Sequence, residues 1–344
     1  MVRFNLLKYI ENCIGLSYRS FDKVLQEGYL VYSDQTQTYS LNSLTLNTIV
    51  NSKIDWFDIV EIDNEYFYVK KNRLFKVNFS DLSVEKIFET KEEALFPYSN
   101  NIVSIGSSNW RTKVQSFSIV KLPDKKLLAW EDDRELLFVF SENLALFQDG
   151  NRGYLFTIDL NDGKEIWKIA LDGGISGRKY FQKVNCDRLI IQKFFSIDNY
   201  SLLNIDIITG VVRWEVSNTL TYYNYDDSNN KLYGLGGGTF EVINADTGER
   251  EIQQKLSEDL HIASHLTYYC NGLLYFSGYR DKNIPVFGAV NVEDGNLAFT
   301  QEVELPGEKS FRKGLDRPVV VRNRLYVRDA MKTLHVYERE DHPA

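Results

Sequence analysis

The sequence predicts an all-β protein made of repeated four-stranded antiparallel sheets. Apolar residues make up 43% of the 344 residues, and Tyr and Phe occur 21 times each, a bias toward residue types that favour strands. Short alternations of apolar and polar residues recur along the chain, bounded by turns rich in Gly, Asn or Asp. Because these units repeat about every 40 to 45 residues, the length of one blade, we expect a closed β-propeller that forms a single domain.

The clearest repeat is a strand, a tight turn that ends in glycine, and a second strand. Gly is expected at this turn position because the backbone there needs a positive φ, which a side chain with a Cβ resists. The apolar residues on either side keep a period of two, so one face of each strand should be buried. The four copies span residues 154–167, 202–214, 240–252 and 286–299, with Gly163, Gly210, Gly248 and Gly295 in their turns.

Weaker copies at residues 38–50, 74–87 and 114–130 precede these four and lack the glycine. A second kind of turn, in which Asn, Asp or Gly is followed by an apolar pair, alternates with the first and occurs once more often. The chain therefore ends on a blade of three strands that needs a fourth from elsewhere. Residues 2–10 or 14–21 precede the first blade and are free to supply it, which would remove an open sheet edge.

We therefore predict eight blades, with seven as the alternative if the weak first unit is not a blade. The domain should span residues 1–344. Within it, residues 1–21 should provide the closing strand, residues 22–131 the weak repeats and residues 132–340 the clear repeats.

Two of the turns carry a more specific pattern than the glycine alone. They read ADTG at residues 245–248 and ITG at residues 208–210, and the strand after the second turn carries Trp214. This pattern resembles the PQQ-like, or quinoprotein-type, β-propeller repeat, in which a strand, a D-x-x-T-G-type turn and a Trp-bearing strand follow one another. The resemblance implies a fold and does not by itself imply a cofactor. The residues at the tryptophan position of successive repeats are Trp130, Trp167, Trp214, Ile252 and Phe299.

Composition and charge point to a protein partner in the cytoplasm. The formal net charge of −8 disfavours nucleic acid, because phosphate contacts are made by Lys and Arg, and it suits a basic partner. The N-terminal apolar run is short and interrupted by polar residues, so it predicts neither a secretory signal nor a membrane span. The cysteines lie far apart and outside any CxxC pattern, which predicts reduced thiols at Cys13, Cys186 and Cys270.

Motifs for catalysis or metal binding are missing from the sequence. There is no GxSxG elbow, P-loop or dinucleotide fingerprint, and the glycines at 236–238 lie between two strands, where no helix N-terminus could hold a phosphate. His261 and His265 have the spacing of two ligands on a helix, but we expect them in a loop entering a strand, with no third ligand. His335 is expected to be an ordinary strand residue. We therefore predict no enzyme, no cofactor and no metal.

Two other functions stay open as alternatives. The resemblance includes quinoprotein dehydrogenases, so a PQQ- or metal-dependent enzyme of that type is one. Those enzymes carry adjacent cysteines in a disulfide and an acidic calcium site, and this chain has no adjacent cysteines. An envelope-assembly scaffold is the other, although it would need an exported or lipid-anchored N-terminus. We therefore favour the non-enzymatic branch of the family.

The partner is expected on the face that carries the long loops. In a four-stranded meander, the loops between strands two and three and the connections between blades emerge on one face, and the tight turns crowd the other. The long loops combine aromatic and guanidinium side chains, which are enriched at interface hot spots. The candidate partner-binding residues are Trp110, Arg111, Arg178, Tyr200, Tyr279, Arg280, Phe311, Arg312 and Arg317.

We therefore predict a non-catalytic, protein-binding scaffold that is a monomer outside its complex and acts through the long-loop face. The net charge of −8 suits a basic partner or a toxin, and in the second case the chain would be an immunity protein. Tyrosines at 222–223 and 268–269 lie on predicted innermost strands. Two interpretations stay open for them, because they could face a central channel that binds a small ligand or pack between blades.

Overall fold

The computed structural model consists of β-strands joined by turns and loops. The part of the chain that it describes contains no helix, and therefore none with the length and apolar character needed to cross a membrane. The prediction of an all-β chain is confirmed for this part. The structure describes residues 4–10, 29–33, 38–42, 48–51, 59–62, 65–70, 72–78, 83–90, 94–99, 102–109, 114–122, 125–130, 134–149, 153–175, 182–184, 187–196, 199–281, 284–303, 314–330 and 333–340.

The described strands pair into eight antiparallel sheets, which we number sheet 1 to sheet 8 in chain order. Strands that are neighbours in a sheet are mostly neighbours in sequence, so the sheets are meanders. Sheet 1 contains β2 (Tyr29–Ser33), β3 (Thr38–Asn42) and β4 (Thr48–Asn51); sheet 2 contains β5 (Ile59–Ile62), β6 (Glu65–Lys70), β7 (Arg73–Asn78) and β8 (Ser83–Glu89); sheet 3 contains β9 (Ala94–Ser99), β10 (Ile102–Asn109), β11 (Val114–Lys121) and β12 (Lys125–Trp130).

The repeats with the clearest turns form the next four sheets, and the last sheet joins strands from both ends of the chain. Sheet 4 contains β13 (Glu135–Ser141), β14 (Leu144–Gln148), β15 (Tyr154–Asp159) and β16 (Glu165–Ala170); sheet 5 contains β17 (Gly174–Ile175), β18 (Gln182–Val184), β19 (Arg188–Ser196), β20 (Asn199–Asp206) and β21 (Val212–Ser217). Sheet 6 contains β22 (Tyr223–Asp226), β23 (Lys231–Gly236), β24 (Thr239–Asn244) and β25 (Arg250–Lys255); sheet 7 contains β26 (Leu260–Cys270), β27 (Leu273–Arg280), β28 (Ile284–Asn291) and β29 (Leu297–Glu302); sheet 8 contains β30 (Val319–Val321), β31 (Arg324–Arg328), β32 (Leu334–Arg339) and β1 (Phe4–Ile10).

The N-terminal strand thus lies in the same sheet as the last three strands. β1 pairs antiparallel with β32, and Phe4 lies opposite Arg339. The ring of Phe4 packs against that of Phe299 in sheet 7, with 5.4 Å between the ring centroids. Of the two segments predicted to supply this strand, residues 2–10 contain β1, while residues 14–21 lie outside the described part of the chain.

The apolar core lies between successive sheets. Buried side chains of sheet 7 and sheet 8 form one cluster that includes Phe287, Tyr326 and Tyr337. Comparable clusters join sheets 2 and 3, sheets 3 and 4, sheets 4 and 5, sheets 5 and 6, and sheets 6 and 7. Because sheets 3 to 7 pack one face against the sheet before and the other against the sheet after, both faces of their buried strands are apolar.

Sheets 4 to 7 share one turn between their third and fourth strands. In sheet 5, the amide of Gly210 donates to the carbonyl oxygen of Asp206 at 2.9 Å, and the Asp206 carboxylate accepts hydrogen bonds from the amides of Ile208 and Thr209. This cap explains why Asp or Asn begins each turn. The predicted positive φ is confirmed for the four glycines, Gly163 (74°), Gly210 (73°), Gly248 (74°) and Gly295 (71°).

Tryptophan side chains join neighbouring sheets at these turns. The indole Nε1 of Trp167 in sheet 4 donates to the carbonyl oxygen of Ile207 in sheet 5 at 2.8 Å. Trp214 in sheet 5 makes the same kind of bond to Ala245 in sheet 6 at 3.2 Å. A Cβ on Gly210 would lie 2.5 Å from the ring of Trp167, so glycine also makes room for the indole of the preceding sheet.

Two of the three glycines at 236–238 allow close packing between sheets, whereas a Cβ on Gly237 would meet nothing within 4 Å. A Cβ on Gly236 would lie 2.4 Å from the hydroxyl of Ser264 in sheet 7, and a Cβ on Gly238 would lie 2.8 Å from the carbonyl oxygen of Leu260. These close approaches require residues without a side chain.

The prediction that His261 and His265 lie in a loop is wrong, because both lie within β26. The pairing of β26 with β27 is interrupted between Ile262 and Thr267, so residues 263–266 form a bulge. A bulge of this kind shifts the alternation of side chains, which is why the sequence looks irregular there. Among the described residues, no group of His, Cys, Asp and Glu could hold a metal ion.

Candidate functional site

The sheets have two ends with different connections. At the end that we call the turn end, an amide at the third turn of the sheet donates to a carbonyl oxygen at its first turn, as in Ala245 to Asn230 at 3.0 Å. The same bond occurs in sheets 4, 5, 7 and 8. At the opposite end, which we call the loop end, the loop between the second and third strands meets the connection between sheets, as in Asp281 to Asp259 at 2.9 Å.

The structure describes four of the nine residues predicted to bind a partner. Tyr200 is the second residue of β20 in sheet 5, Tyr279 and Arg280 are the last two of β27 in sheet 7, and Arg317 precedes β30 in sheet 8. All four lie at the loop end, spread over three sheets. Their role in binding stays a prediction. The predicted residues outside the described part of the chain are Trp110, Arg111, Arg178, Phe311 and Arg312.

Two of the predicted arginines are engaged by neighbouring groups. Arg280 donates to the hydroxyl of Thr300 at 2.6 Å and forms ion pairs with Glu302 at 3.4 Å and Asp259 at 3.6 Å. The guanidinium of Arg317 lies over the ring of Tyr268 on the first strand of sheet 7, 5.4 Å from the ring centroid. These contacts hold the two guanidinium groups in place at the loop end.

Three aromatic residues lie at the loop end of sheet 5, and we call them the aromatic platform: Phe194, Phe195 and Tyr200. Phe194 packs with Tyr200, whereas Phe195 packs with Lys193. Phe194 and Phe195 end β19 with 37% and 38% of their surfaces exposed. The rings of Phe194 and Tyr200 pack together with 5.6 Å between their centroids. Phe194 and Phe195 therefore expose apolar surface at the end of a strand that is paired with β20.

A buried lysine fixes the base of the aromatic platform. The Lys193 side chain, only 4% exposed, bonds to Asp172 at 2.7 Å and Glu215 at 2.6 Å, and its ammonium lies 4.6 Å from the centroid of the Phe195 ring. Burial works to lower the pKa of Lys193, but the bonds to the two carboxylates outweigh it and raise the pKa. Lys193 therefore stays charged, and the two carboxylates around it leave the platform with an excess of negative charge.

Of the three platform residues, only Tyr200 was predicted from the sequence. The two phenylalanines were not, and they lie near the end of β19, which extends to Ser196. The available signal was the pair of adjacent phenylalanines, because one of two neighbours on an edge of a strand usually faces solvent.

A second group of charged residues lies inside sheet 6. The hydroxyl of Tyr223 donates to Glu241, whose carboxylate is 1% exposed and also pairs with Arg250. Burial and the nearby Glu241 charge raise the pKa of Tyr223 well above its ordinary value. The Arg250 guanidinium also donates to the carbonyl oxygens of Ser217 and Asn218, both at 3.1 Å, so this network ties sheet 6 to the connection that precedes it.

Tyrosines on the first strands of sheets 6 and 7, and His335 in sheet 8, make contacts inside the fold. Tyr269 in sheet 7 donates to Asp226 in sheet 6 at 2.8 Å, and burial together with this bond raises the pKa of Tyr269 to about 12. Tyr268 is 8% exposed. The bond of Tyr269 favours packing between sheets over a channel lining, whereas Tyr223 bonds to Glu241 within sheet 6. His335 lies in a strand, as predicted, and its Nε2 lies 2.9 Å from the buried carboxylate of Asp329.

Comparison with solved structures identifies the fold. BamB from Moraxella catarrhalis superposes with a TM-score of 0.54 at 10% identity, covering 98% of this chain and 100% of BamB. Sqt1 from Saccharomyces cerevisiae gives a TM-score of 0.57 at 11% identity, covering 98% of this chain and 99% of Sqt1. These proteins are β-propellers, so the chain has a propeller-like fold. No family model and no curated protein matches the sequence.

Enzymes are also among the similar structures. The dihydro-heme d1 dehydrogenase NirN superposes with a TM-score of 0.55 at 10% identity, over 88% of this chain and 67% of NirN. At these identities the likeness shows the fold alone, because propellers support unrelated functions.

Proposed function

We propose that the chain is a non-catalytic scaffold that binds a protein partner at the loop end of its sheets. The observation that carries this proposal is the aromatic platform, whose exposed Phe194 and Phe195 stand on an ordered hairpin beside the buried Lys193. A binding surface needs apolar groups that are exposed and held in place before binding, so that little conformational entropy is lost on association.

The chemistry of the platform suits a basic partner. Asp172 exposes 77% of its side chain and Glu215 exposes 37%, and they share one ammonium between them. An Arg or Lys of a partner can stack on the phenylalanine rings and pair with these carboxylates. The net charge of −8 would steer such a partner in the cytoplasm, and a basic toxin neutralised by an immunity protein is one instance of this chemistry.

The scaffold in this proposal is a ring of eight blades, one from each sheet, closed in PQQ-like fashion by strands from both termini. The pairing of β1 with β32 and the packing of sheets 2 to 8, each against the next, support it. Closure leaves no sheet edge open to other chains and keeps the loop ends of all blades on one rigid face.

The test starts from the partner that co-purifies with the full chain from its native cells and is identified by mass spectrometry. The purified partner is then titrated against wild type and a Phe194→Ser/Phe195→Ser variant. Truncating two central aromatic groups should raise Kd at least about tenfold, since hot-spot side chains contribute more than about 1 kcal/mol each.

The matched control is Leu297→Ser at the turn end of sheet 7. Leu297 is exposed to a similar extent, 40%, and loses the same kind of apolar group. It should leave Kd unchanged. The proposal would be contradicted if the Kd of the partner were unchanged by the Phe194→Ser/Phe195→Ser substitutions but raised by Leu297→Ser.

A further inference from the structure

The turn that joins β20 to β21 in sheet 5 exposes an apolar surface at the turn end. Ile208, Val211 and Val212 are 58%, 59% and 40% exposed, and Ile208 and Val211 are the two most exposed large apolar side chains among the described residues. Scattered exposed apolar groups are ordinary on a protein surface, whereas three in one turn form a patch. We call these three residues the apolar turn.

The backbone of this turn does not require apolar residues there. Sheets 4, 6 and 7 form the same turn, closed by a glycine amide that donates to the Asp or Asn carbonyl at 2.8 to 2.9 Å. At the position of Ile208 those turns have Asn161, Asp246 and Glu293, and at the position of Val211 they have Lys164, Glu249 and Asn296. The repeat therefore accepts polar residues at both positions, and sheet 5 alone of these four sheets has apolar ones.

The core of sheet 5 is supplied by other residues of the same turn. Ile207, which precedes Ile208, is buried to 1% exposure, and Trp214, which follows the turn, packs in the cluster between sheets 5 and 6. Ile208 and Val211 are therefore not needed to fill the core, and their apolar character has to be explained by something outside the fold.

Carboxylates border the apolar turn on the side of the first turns. Asp187 and Asp246 expose 47% and 53% of their side chains, and Asp206 lies within the turn itself. Two guanidinium groups lie among these three carboxylates, since Arg188 contacts Asp187 and Asp246, and Arg213 contacts Asp187 and Asp206. The border therefore carries one negative charge more than it has positive charges, and Asp187 and Asp246 each expose about half of their side chains.

We propose that the apolar turn is a second docking surface, which binds a segment of another protein that has aliphatic side chains flanked by Lys or Arg. The aliphatic groups would cover Ile208 and Val211, and the flanking cations would pair with Asp187 and Asp246. A second copy of this chain is disfavoured as the occupant. A symmetric pair would bring the acidic borders of both copies together, and like charges repel.

The test uses a defined probe and neutral substitutions taken from the sister turns. The probe is a fluorescently labelled peptide with a Leu-Val-Leu centre flanked by Lys on both sides, and its counterpart is flanked by Glu. Wild type is compared by fluorescence anisotropy with the Ile208→Asn/Val211→Asn variant. Asn is the residue that sheet 4 has at the position of Ile208 (Asn161) and that sheet 7 has at the position of Val211 (Asn296), and the substitutions do not change the net charge. The turn should fold unchanged because its sisters carry these residues.

The Lys-flanked peptide should bind wild type at least tenfold more tightly than the Glu-flanked peptide, and at least tenfold more tightly than it binds the double variant. The control Leu297→Asn should bind it as wild type does, because Leu297 lies at the turn end of sheet 7 and not in the apolar turn. Equal binding by wild type and the double variant, or no preference for Lys, would overturn the proposal. So would a concentration-dependent dimer of wild type that the double variant abolishes in sedimentation, because the occupant would then be a second copy.

Discussion

The carboxylate of Asp206 illustrates how single side chains hold the repeated turn. It accepts hydrogen bonds from the amides of Ile208 and Thr209 at 3.1 Å and 2.9 Å, and Arg213 donates to it at 2.6 Å. The hydrogen bond from Arg213, followed by those from Thr209, lowers the pKa of Asp206 to about 2. The ionised form of Asp206 is therefore stabilised in the folded chain relative to the unfolded chain.

This shift makes part of the stability depend on pH. A lowered pKa stabilises the fold above the ordinary pKa of 3.8, and the contribution is lost as the pH falls through the folded value of about 2. Replacing Asp206 by Asn keeps the cap, since Asn244 begins the same turn in sheet 6, but removes the charge. At pH 7 the Asp206→Asn variant should be less stable by about 1 to 2 kcal/mol, a value reduced for the exposure of Arg213.

Urea unfolding at pH 7, 4 and 2 measures this difference. The gap between wild type and Asp206→Asn should narrow steadily below about pH 4 and nearly vanish by pH 2. A gap that stays constant over this range would mean that the charge of Asp206 does not stabilise the turn.

At the scale of residues, the sequence predicted the Asp and Asn residues of the turns but not the ion pairs between distant residues. Asp and Asn at the start of a turn were expected to bind the backbone, because that bond is local. The pairing of Arg188 with Asp246, and of Lys193 with Asp172, joins residues that are distant in sequence. Such pairs depend on how one sheet is placed against the next, which no local pattern contains.

At the scale of elements, the turn glycines have two separate reasons to be glycine. Gly210 and Gly272 have nearly the same positive φ, 73° and 75°. A Cβ on Gly210 would meet the Trp167 ring at 2.5 Å, whereas a Cβ on Gly272 would meet nothing within 4 Å. The two residues therefore separate the cost of backbone strain from that of displacing the indole.

Both alanine variants should be destabilised, and Gly210→Ala more so. Gly272→Ala bears only the strained backbone, about 1 kcal/mol, while Gly210→Ala adds overpacking of about 1 to 3 kcal/mol. Chemical denaturation followed by the fluorescence of tryptophan measures both free energies of unfolding. Equal losses in the two variants would show that the contact with Trp167 does not hold sheets 4 and 5 together.

The strands themselves were largely readable from the sequence. The turns with Asp or Asn and Gly marked the third and fourth strands of sheets 4 to 7, because period two and a positive φ are local requirements. The bulge at residues 263–266 could not be predicted from the sequence, because it is set by the pairing of β26 with β27. For the same reason, His261 and His265 were expected in a loop.

At the scale of the whole molecule, the sequence predicted that an N-terminal strand joins the last sheet. It predicted only part of the surface that we propose for binding. An odd strand at the C-terminus requires a partner strand, and the N-terminus was the available one. The candidate binding residues were chosen by type and by loop, so they are spread over several sheets, and the phenylalanines of the aromatic platform were missed. Which loops form one surface depends on the arrangement of the sheets.

The eight-bladed ring that we propose depends on closure by β1. Phe4 anchors this strand, since its backbone carbonyl oxygen accepts a hydrogen bond from Gln301 of sheet 7 at 2.8 Å, and its ring packs on Phe299. If β1 completes the last blade, it shields the edge of β32 from solvent and from other chains. If it does not, the sheets have an open edge and the two ends are not rigid faces.

Hydrogen–deuterium exchange of the full chain, compared with a chain that lacks residues 1–10, tests this claim most directly. In the full chain the amides of residues 4–10 that pair with β32 should exchange about a hundredfold or more slowly than unprotected amides, like those of β31. Removing the segment should deprotect residues 334–339 and leave sheets 4 to 6 unchanged. Rapid exchange of residues 4–10 in the full chain, or unaltered protection of β32 after their removal, would contradict closure by the N-terminal strand.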